Sequence, residues 1–204
     1  MFAPFVTIFA IIIYVQSGEF PFYLQKRSLT LEKRHFNVIK LKTLYSKNKA
    51  KVVNTVFIKS ELHKYLIPFG KFLRRTGLDE LPQLINVIKG EMSLIGPRPL
   101  MESDLVAIKN NAPELYSLRN NLNCKPGITG YWQVFGNRLN GVADLIGCDL
   151  LYAQNKSFLF DLKVLLKTIP LVLFAAHADA ISFRDKFKIS DIELIKTVQP
   201  SDQI

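Results

Sequence analysis

The sequence predicts a mostly helical α+β fold: a small globular domain with few short strands, led by an apolar N-terminal helix. Three observations predict it. From Ile67 onward, apolar residues recur at intervals of three and four between glycine and proline breaks, the helical period. Only two earlier segments, Phe20–Gln25 and His35–Thr43, read as short strands or extended pieces. Ahead of both, Phe2–Val15 is apolar apart from Thr7, with no charge before Glu19.

A chain of 204 residues, 49% hydrophobic and 22% charged, suits one compact domain with its own core and excludes a disordered class. The net charge of +10 suits nucleic acid, an anionic membrane surface or a phosphate-rich substrate, and composition alone does not choose among them. Cys124 and Cys148 form no CxxC pair and have no histidine at metal-ligand spacing, so they read as buried free thiols. His35, His63 and His177 are scattered and are assigned no chemistry.

The N-terminal segment admits three readings. A signal peptide would need a basic start and a small-residue cleavage site, and both are missing before Gly18. A buried core helix is the second. The third is a membrane-embedded helix that enters without crossing, or the distal half of a longer hairpin. About 14 residues reach roughly 21 Å as a helix, short of a hydrocarbon core of about 30 Å. The lack of a polar face places membrane embedding first.

The remaining elements follow in order. Lys26–Arg34 is a basic connection, and the lysine-rich run Lys42–Lys51 reads as a solvated loop that could face anionic lipid. A helix from Ile67 carries the stripe Phe69, Phe72 and Leu73 and ends at Gly77. A second helix from Leu78 or Asp79 to about Ile88 carries Leu81, Leu84, Ile85 and Ile88 on one stripe, with Pro82 tolerated in its first turn and Gly90 closing it. Gly96-Pro97-Arg98-Pro99 is irregular, because each proline restricts its predecessor. Leu105–Leu122 is helical with an interruption at Pro113. Lys125-Pro126-Gly127 is a turn, and Ile128–Val134 is extended. Ala143–Ala153 and Leu159–Ala176 are helices, the second broken at Pro170 and suited either to core packing or to a membrane interface. The division is 1–17 for the embedded helix, 18–178 for the globular domain and 179–204 for a polar tail.

Asp79 and Glu80 are the strongest candidates for chemistry. An acidic pair at a helix start is ordinarily an N-cap with a favourable dipole interaction. Here Arg74 and Arg75 stand just upstream across the Gly77 break, and Arg98 follows on a proline-stiffened loop. Carboxylates, arginines and helix N–H groups together suit a phosphate-handling site with a divalent metal.

The run from Arg74-Arg75-Thr76-Gly77-Leu78-Asp79-Glu80-Leu81-Pro82-Gln83-Leu84 through Asn86-Val87-Ile88-Lys89-Gly90-Glu91-Met92-Ser93-Leu94-Ile95-Gly96-Pro97-Arg98-Pro99-Leu100 resembles the signature of the bacterial sugar transferases. These are monotopic polyprenyl-phosphate phosphoglycosyl transferases. The likeness continues in Pro126-Gly127-Ile128-Thr129-Gly130, Gln133-Val134, Asp149, Tyr152 and Asp161-Leu162-Lys163, and covers Ala3 to about Val172.

The resemblance implies a two-step phosphoryl transfer with Mg2+ as cofactor. Asp79 is the implied nucleophile toward a UDP-sugar, releasing UMP. The phosphosugar then passes to a polyprenyl phosphate, expected to be undecaprenyl phosphate, to start polysaccharide or glycoprotein glycan assembly. Asp79 and Glu80 are the implied metal ligands; Arg74, Arg98, Lys42, Lys125, Gln133, Arg138 and Asp149 are the implied substrate-binding residues. The likeness also implies the cytoplasmic face of the bacterial inner membrane, a re-entrant hairpin bending where Ala3-Pro4 stands, and interfacial helices. The incoming half of that hairpin is not in the sequence, so truncation is the expectation.

Some positions depart from the family pattern. Gln25 and Arg27 keep part of a Gln-x-Arg-x-Gly motif in which Leu29 replaces glycine. Lys125 stands where arginine is usual, and Asn137 takes the place of an arginine, with Arg138 next to it. Lysine lacks the planar fork that binds phosphate in two places. These changes leave a weak or inactive membrane-bound scaffold as the alternative. Nucleic-acid binding ranks low, since the aromatics lie in apolar runs and no recognised motif is present.

Overall fold

The computed structural model describes residues 3–46, 65–137 and 140–173. A helix, α1 (Ala3–Ser17), leads into an antiparallel hairpin of β1 (Phe22–Arg27) and β2 (Phe36–Leu41). Then come α2 (Pro68–Thr76), a 3₁₀ helix (Leu78–Gln83), α3 (Leu84–Ile88) and β3 (Ser93–Ile95). The second half is α4 (Glu102–Asn111), α5 (Pro113–Asn120), β4 (Gly127–Thr129), α6 (Tyr131–Phe135), α7 (Gly141–Asn155) and α8 (Phe158–Leu173). Strands β3 and β4 form a second, parallel pair. The mostly helical α+β domain with few strands is the one the sequence predicts.

The main core lies among α4, α5, α6 and α7, where Leu100, Leu105, Ile108, Leu115, Trp132, Leu145 and Ile146 are buried. A second cluster joins α1 to the hairpin and α2 through Ala10, Ile13, Leu41, Ile67 and Leu73. There Phe9 and Phe69 meet at 5.5 Å between ring centroids, and Phe69 N donates to Gln16 Oε1 at 3.0 Å. The other face of α1 exposes Phe5, Ile8, Ile11, Tyr14 and Val15. Among the described residues, no helix is long and apolar enough to cross a membrane.

Two backbone crossings need glycine. A Cβ on Gly127 would lie 2.1 Å from Gly96 N, and one on Gly130 2.1 Å from Gly96 O. Any side chain at these positions would force the β3–β4 pair apart.

Several expectations are corrected. The predicted helix from Leu78 to Ile88 is a 3₁₀ turn followed by a short α-helix. Its stripe faces outward: Ile85 and Ile88 are exposed, Leu81 and Leu84 half-buried, while Asp79, Glu80, Gln83 and Asn86 are buried. Tyr131–Val134 is helical rather than extended, because Trp132 must turn into the α4–α7 core, and this burial overrides β propensity. Pro170 sits inside α8 without ending it. The carbonyl it strips of a helical donor belongs to Leu166, on an exposed side of the helix. Most of α8's apolar residues, including Phe158, Leu159 and Leu166, are likewise exposed, so core packing accounts for only a minority such as Val164.

The lysine-rich run is described only to Ser46, and Lys42 within it is buried rather than solvated. It donates to Glu19 Oε2 at 3.0 Å and to Ser46 Oγ at 3.2 Å. His63, His177 and the tail beyond 173 lie outside the described residues. Both cysteines are free and only half-buried.

Two surface carboxylates tie long-range contacts. Glu32 accepts from Tyr116 Oη at 2.5 Å and Lys109 Nζ at 2.9 Å, and these bonds hold its carboxyl down at about 2. Glu19 is held at about 2 by Ser46 and Lys42. A lowered folded-state value means a stabilising contribution complete above about pH 4.5 and lost as pH falls toward 2. Glu32→Gln is expected to lower stability at pH 7, and the gap to the parent protein is expected to narrow as pH falls below 4.5 toward 2, read from urea midpoints across that range.

Candidate active site

The site begins where α2 ends. Gly77 adopts a left-handed conformation (φ 72°), which an L side chain resists, and turns the chain into the 3₁₀ helix. Glu80 N donates to Gly77 O at 3.1 Å, the i→i+3 bond of that geometry. Three residues per turn bring positions three apart into line. Glu80 therefore aligns with Gln83, and Asp79 with Pro82, and all four are buried. Neither carboxylate serves as the N-cap, a position taken by Gly77. The capping half of the ordinary explanation is thereby removed, though both carboxylates still lie in the first turn.

Glu80 is 5% exposed and Asp79 4%. Lys40 Nζ donates to Glu80 Oε1 at 2.5 Å, and Arg98 Nη2 stands 3.6 Å from the same oxygen. Lys40 reaches this point because Phe36, Val38 and Lys40 share one face of β2, which packs along the 3₁₀ helix. Arg98 arrives on the loop after β3. Arg27, Lys40, Glu80, Gln83 and Arg98 line a small pocket closed by Val38, Pro99, Gly127 and Ile128. Three cations thus surround one carboxylate. Arg27 is anchored by its own fork, donating from Nη2 to Gln25 Oε1 at 2.8 Å and from Nη1 to Pro99 O at 3.2 Å. Burial and the neighbouring Arg98 both lower its basicity.

The other residues suggested by sequence are distributed as follows. Arg74 donates from Nε to Thr43 Oγ1 at 2.7 Å, beside the pocket's lining strand and not within the lining. Arg75 is exposed. Lys42 pairs with Glu19 and leaves to Lys40 the place beside Glu80. Lys125 is exposed, and Gln133 is buried, its Nε2 directed to Ile128 O at 3.5 Å. Asn137 N donates to Asp144 Oδ2 at 2.8 Å, and Arg138 lies outside the described residues. Asp149 does not line the pocket. It is 2% exposed and its Oδ2 meets Arg119 Nη1; burial pushes its carboxyl up to about 6 against the pull of that arginine.

Three residues of this arrangement stand outside the site expected from sequence: Lys40, Arg27 and Arg119. Strand parity marks Lys40, since it shares its face with two core residues. Helix spacing marks Arg119, which lies four residues after buried Leu115 and three before buried Leu122. A charge on a core-facing position is a signal in itself.

Residues 1–175 match the profile of the bacterial sugar transferases. The chain belongs to that family. The exopolysaccharide production protein ExoY of Sinorhizobium fredii is 46% identical over 103 residues, 50% of this chain and 43% of its own length. An undecaprenyl-phosphate glucose phosphotransferase of Komagataeibacter xylinus is 33% identical over 183 residues, 86% of this chain and 34% of its own. An undecaprenyl-phosphate galactose phosphotransferase of Salmonella typhimurium is 41% identical over 104 residues, 51% of this chain and 21% of its own. The chain spans less than half the length of each of these three relatives.

The two lysines of β2 and its end can be told apart by stability. The Lys40–Glu80 pair is nearly sealed from solvent, and the Lys42–Glu19 pair is more open. Lys40→Met is expected to cost about 3 kcal/mol, since it strands a buried carboxylate. Lys42→Met is expected to cost about 1 kcal/mol. Denaturant unfolding of both variants in the same detergent checks the order.

Proposed function

We propose that this protein transfers a sugar 1-phosphate from a UDP-sugar to a polyprenyl phosphate, by way of a covalent phosphosugar on Asp79. The observation that carries the reading is the buried Asp79-Glu80 turn beside a pocket where Arg27, Lys40 and Arg98 outnumber Glu80. Such an excess of buried positive charge suits a phosphate ligand, and guanidinium groups meet phosphate with two parallel N–H donors.

In the first step a carboxylate oxygen of Asp79 attacks the sugar-bearing phosphorus. The bond from that phosphorus to the bridging oxygen breaks, and UMP leaves with the oxygen and the electron pair. In the second, a phosphate oxygen of the polyprenyl phosphate attacks the same phosphorus, restores the Asp79 carboxylate and yields a polyprenyl diphosphate sugar. Arg98 and Lys40 are placed to steady charge on the transferring group, and Arg74 to approach the donor from α2. Lys42, Lys125, Gln133 and Arg138 remain the proposed outer contacts of the substrates.

Asp79 and Glu80 are the proposed magnesium ligands. Among the described residues no three acidic, histidine or cysteine side chains gather as a cage. Magnesium is commonly held by one or two carboxylates and completed by substrate phosphates, which this pair would allow. Bound there, the ion would neutralise diphosphate charge.

The same reading puts the domain on the cytoplasmic face of a bacterial inner membrane, with α1 embedded. Its support is the apolar surface of α1, Ile85 and Ile88 of α3, and the outer side of α8. Undecaprenyl phosphate is the proposed acceptor, as the names of two relatives suggest.

UMP release is the deciding measurement, with magnesium, undecaprenyl phosphate and a panel including UDP-galactose and UDP-glucose. Asp79→Asn is expected to lower it on the order of 10³-fold or more. Turnover that survives Asp79→Asn rejects the covalent route. No UMP from any donor favours the weak or inactive scaffold.

A further inference from the structure

The loop that carries Arg98 is held at three consecutive carbonyls. Pro97 O accepts from Gly127 N at 2.9 Å, Arg98 O from Arg119 Nη2 at 2.5 Å, and Pro99 O from Arg27 Nη1 at 3.2 Å. The middle one is unusual in its donor. Arg119 is wholly buried, and its fork also gives Nε to Leu29 O at 2.9 Å and Nη1 to Asp149. One guanidinium therefore joins the chain after β1, the Arg98 loop and α7.

Stability alone does not explain such a group. Well-packed apolar residues in place of a buried ion pair are often neutral or stabilising. What an arginine supplies here, and an apolar residue does not, is direction. Its planar fork fixes three acceptors relative to one another. Pro97 and Pro99 restrict the backbone on both sides of Arg98, so pinning the Arg98 carbonyl leaves its peptide plane little freedom. The side chain then leaves the loop along a set line toward Glu80.

We propose that Arg119, oriented by Asp149, is a positioning residue that aims the Arg98 guanidinium at the phosphate of the donor. The proposal rests on the reading above, in which Arg98 meets that phosphate. It gives Asp149 a role through Arg119 rather than by touching substrate.

A double-mutant cycle tests it. Arg119→Lys keeps the charge and loses the fork; Arg98→Lys removes what the fork would aim. Each alone is expected to lower kcat/KM for UMP release by about 10²-fold, the scale of a 1 Å misplacement. Together they are expected to lose only a few-fold more than Arg98→Lys alone. Losses that multiply show that Arg119 acts independently of Arg98 and overturn the proposal. If Arg119→Lys does not fold, Asp149→Asn enters the same cycle, with the same expectation of non-additivity and the same overturning result.

A second readout separates this idea from the assigned reaction. If the parent protein releases no UMP from any UDP-sugar, the functional reading has failed. Positioning is then judged in 15N-arginine-labelled protein, from exchange of the Arg98 Nε–H. Faster exchange in Arg119→Lys supports the positioning role, and an unchanged rate overturns it.

Discussion

A single buried carboxylate, that of Glu80, sets the terms for much of this structure. Removing a charge from water is costly, and only close, well-aimed partners offset it. Two partners converge from distant parts of the sequence. Lys40 must come from β2, which requires the hairpin to turn its Phe36–Val38–Lys40 face onto the 3₁₀ helix. Arg98 must come from the loop after β3, which requires β3 and β4 to cross at backbone distance, with glycine at 96, 127 and 130. The left-handed Gly77 then aligns the 3₁₀ turn so that Glu80 and Gln83 face the same way. Register, crossing and turn all serve one ion cluster.

Much of the fold was legible because it depends on local signals. Gly77 and Gly90 do sit at positive φ, Pro113 does divide two helices, and the two early segments do form strands. The misreadings arise where tertiary structure outvotes a local preference. Ile128–Val134 is rich in strand-forming residues, yet the burial of Trp132 curls its second half into a helix. Pro170 looks like a helix end, yet an exposed turn absorbs the lost hydrogen bond. The site was legible as a motif, centred on Asp79, Glu80 and Arg98, but its supports were not. The family resemblance points to Lys42, whereas only knowledge of which strand face is buried separates it from Lys40. Arg119 has no motif at all. It is visible only as a charge at a core position, and its three acceptors lie 21 to 90 residues away along the chain.

The outward stripe of α3 teaches a further lesson about periodicity. Apolar recurrence at three and four residues establishes that a helix has an apolar face; it does not say what covers that face. Here Asn86 turns inward, where it bonds Asn37 O at 2.8 Å, Ile39 N at 3.2 Å and Glu91 at 2.7 Å, while Ile88 is 86% exposed. The amphipathic logic of a water-soluble helix is reversed. The same holds on the outer side of α8 and on the free face of α1. Apolar residues turned outward on three helices are what the proposed membrane setting would cover.

The proposed transfer gives that reversal a reason. Its two substrates differ in solvent: a nucleotide sugar comes from water, and a polyprenyl phosphate keeps its chain in lipid. A site serving both must place its carboxylates within reach of the aqueous phase and of the lipid headgroups together. A segment whose polar side holds Asp79 and Glu80, and whose other side presents Ile85 and Ile88, separates the two environments by about one helix diameter, roughly 10–12 Å. Had the apolar stripe packed inward, as periodicity first suggests, the carboxylates would have faced solvent. The acidic pair would then have stood in water, where the ion pairs of Glu80 with Lys40 and Arg98 are worth far less. Inverting the segment gives the acidic pair a sheltered, cation-rich setting and leaves its apolar residues for the membrane surface where the proposed acceptor resides.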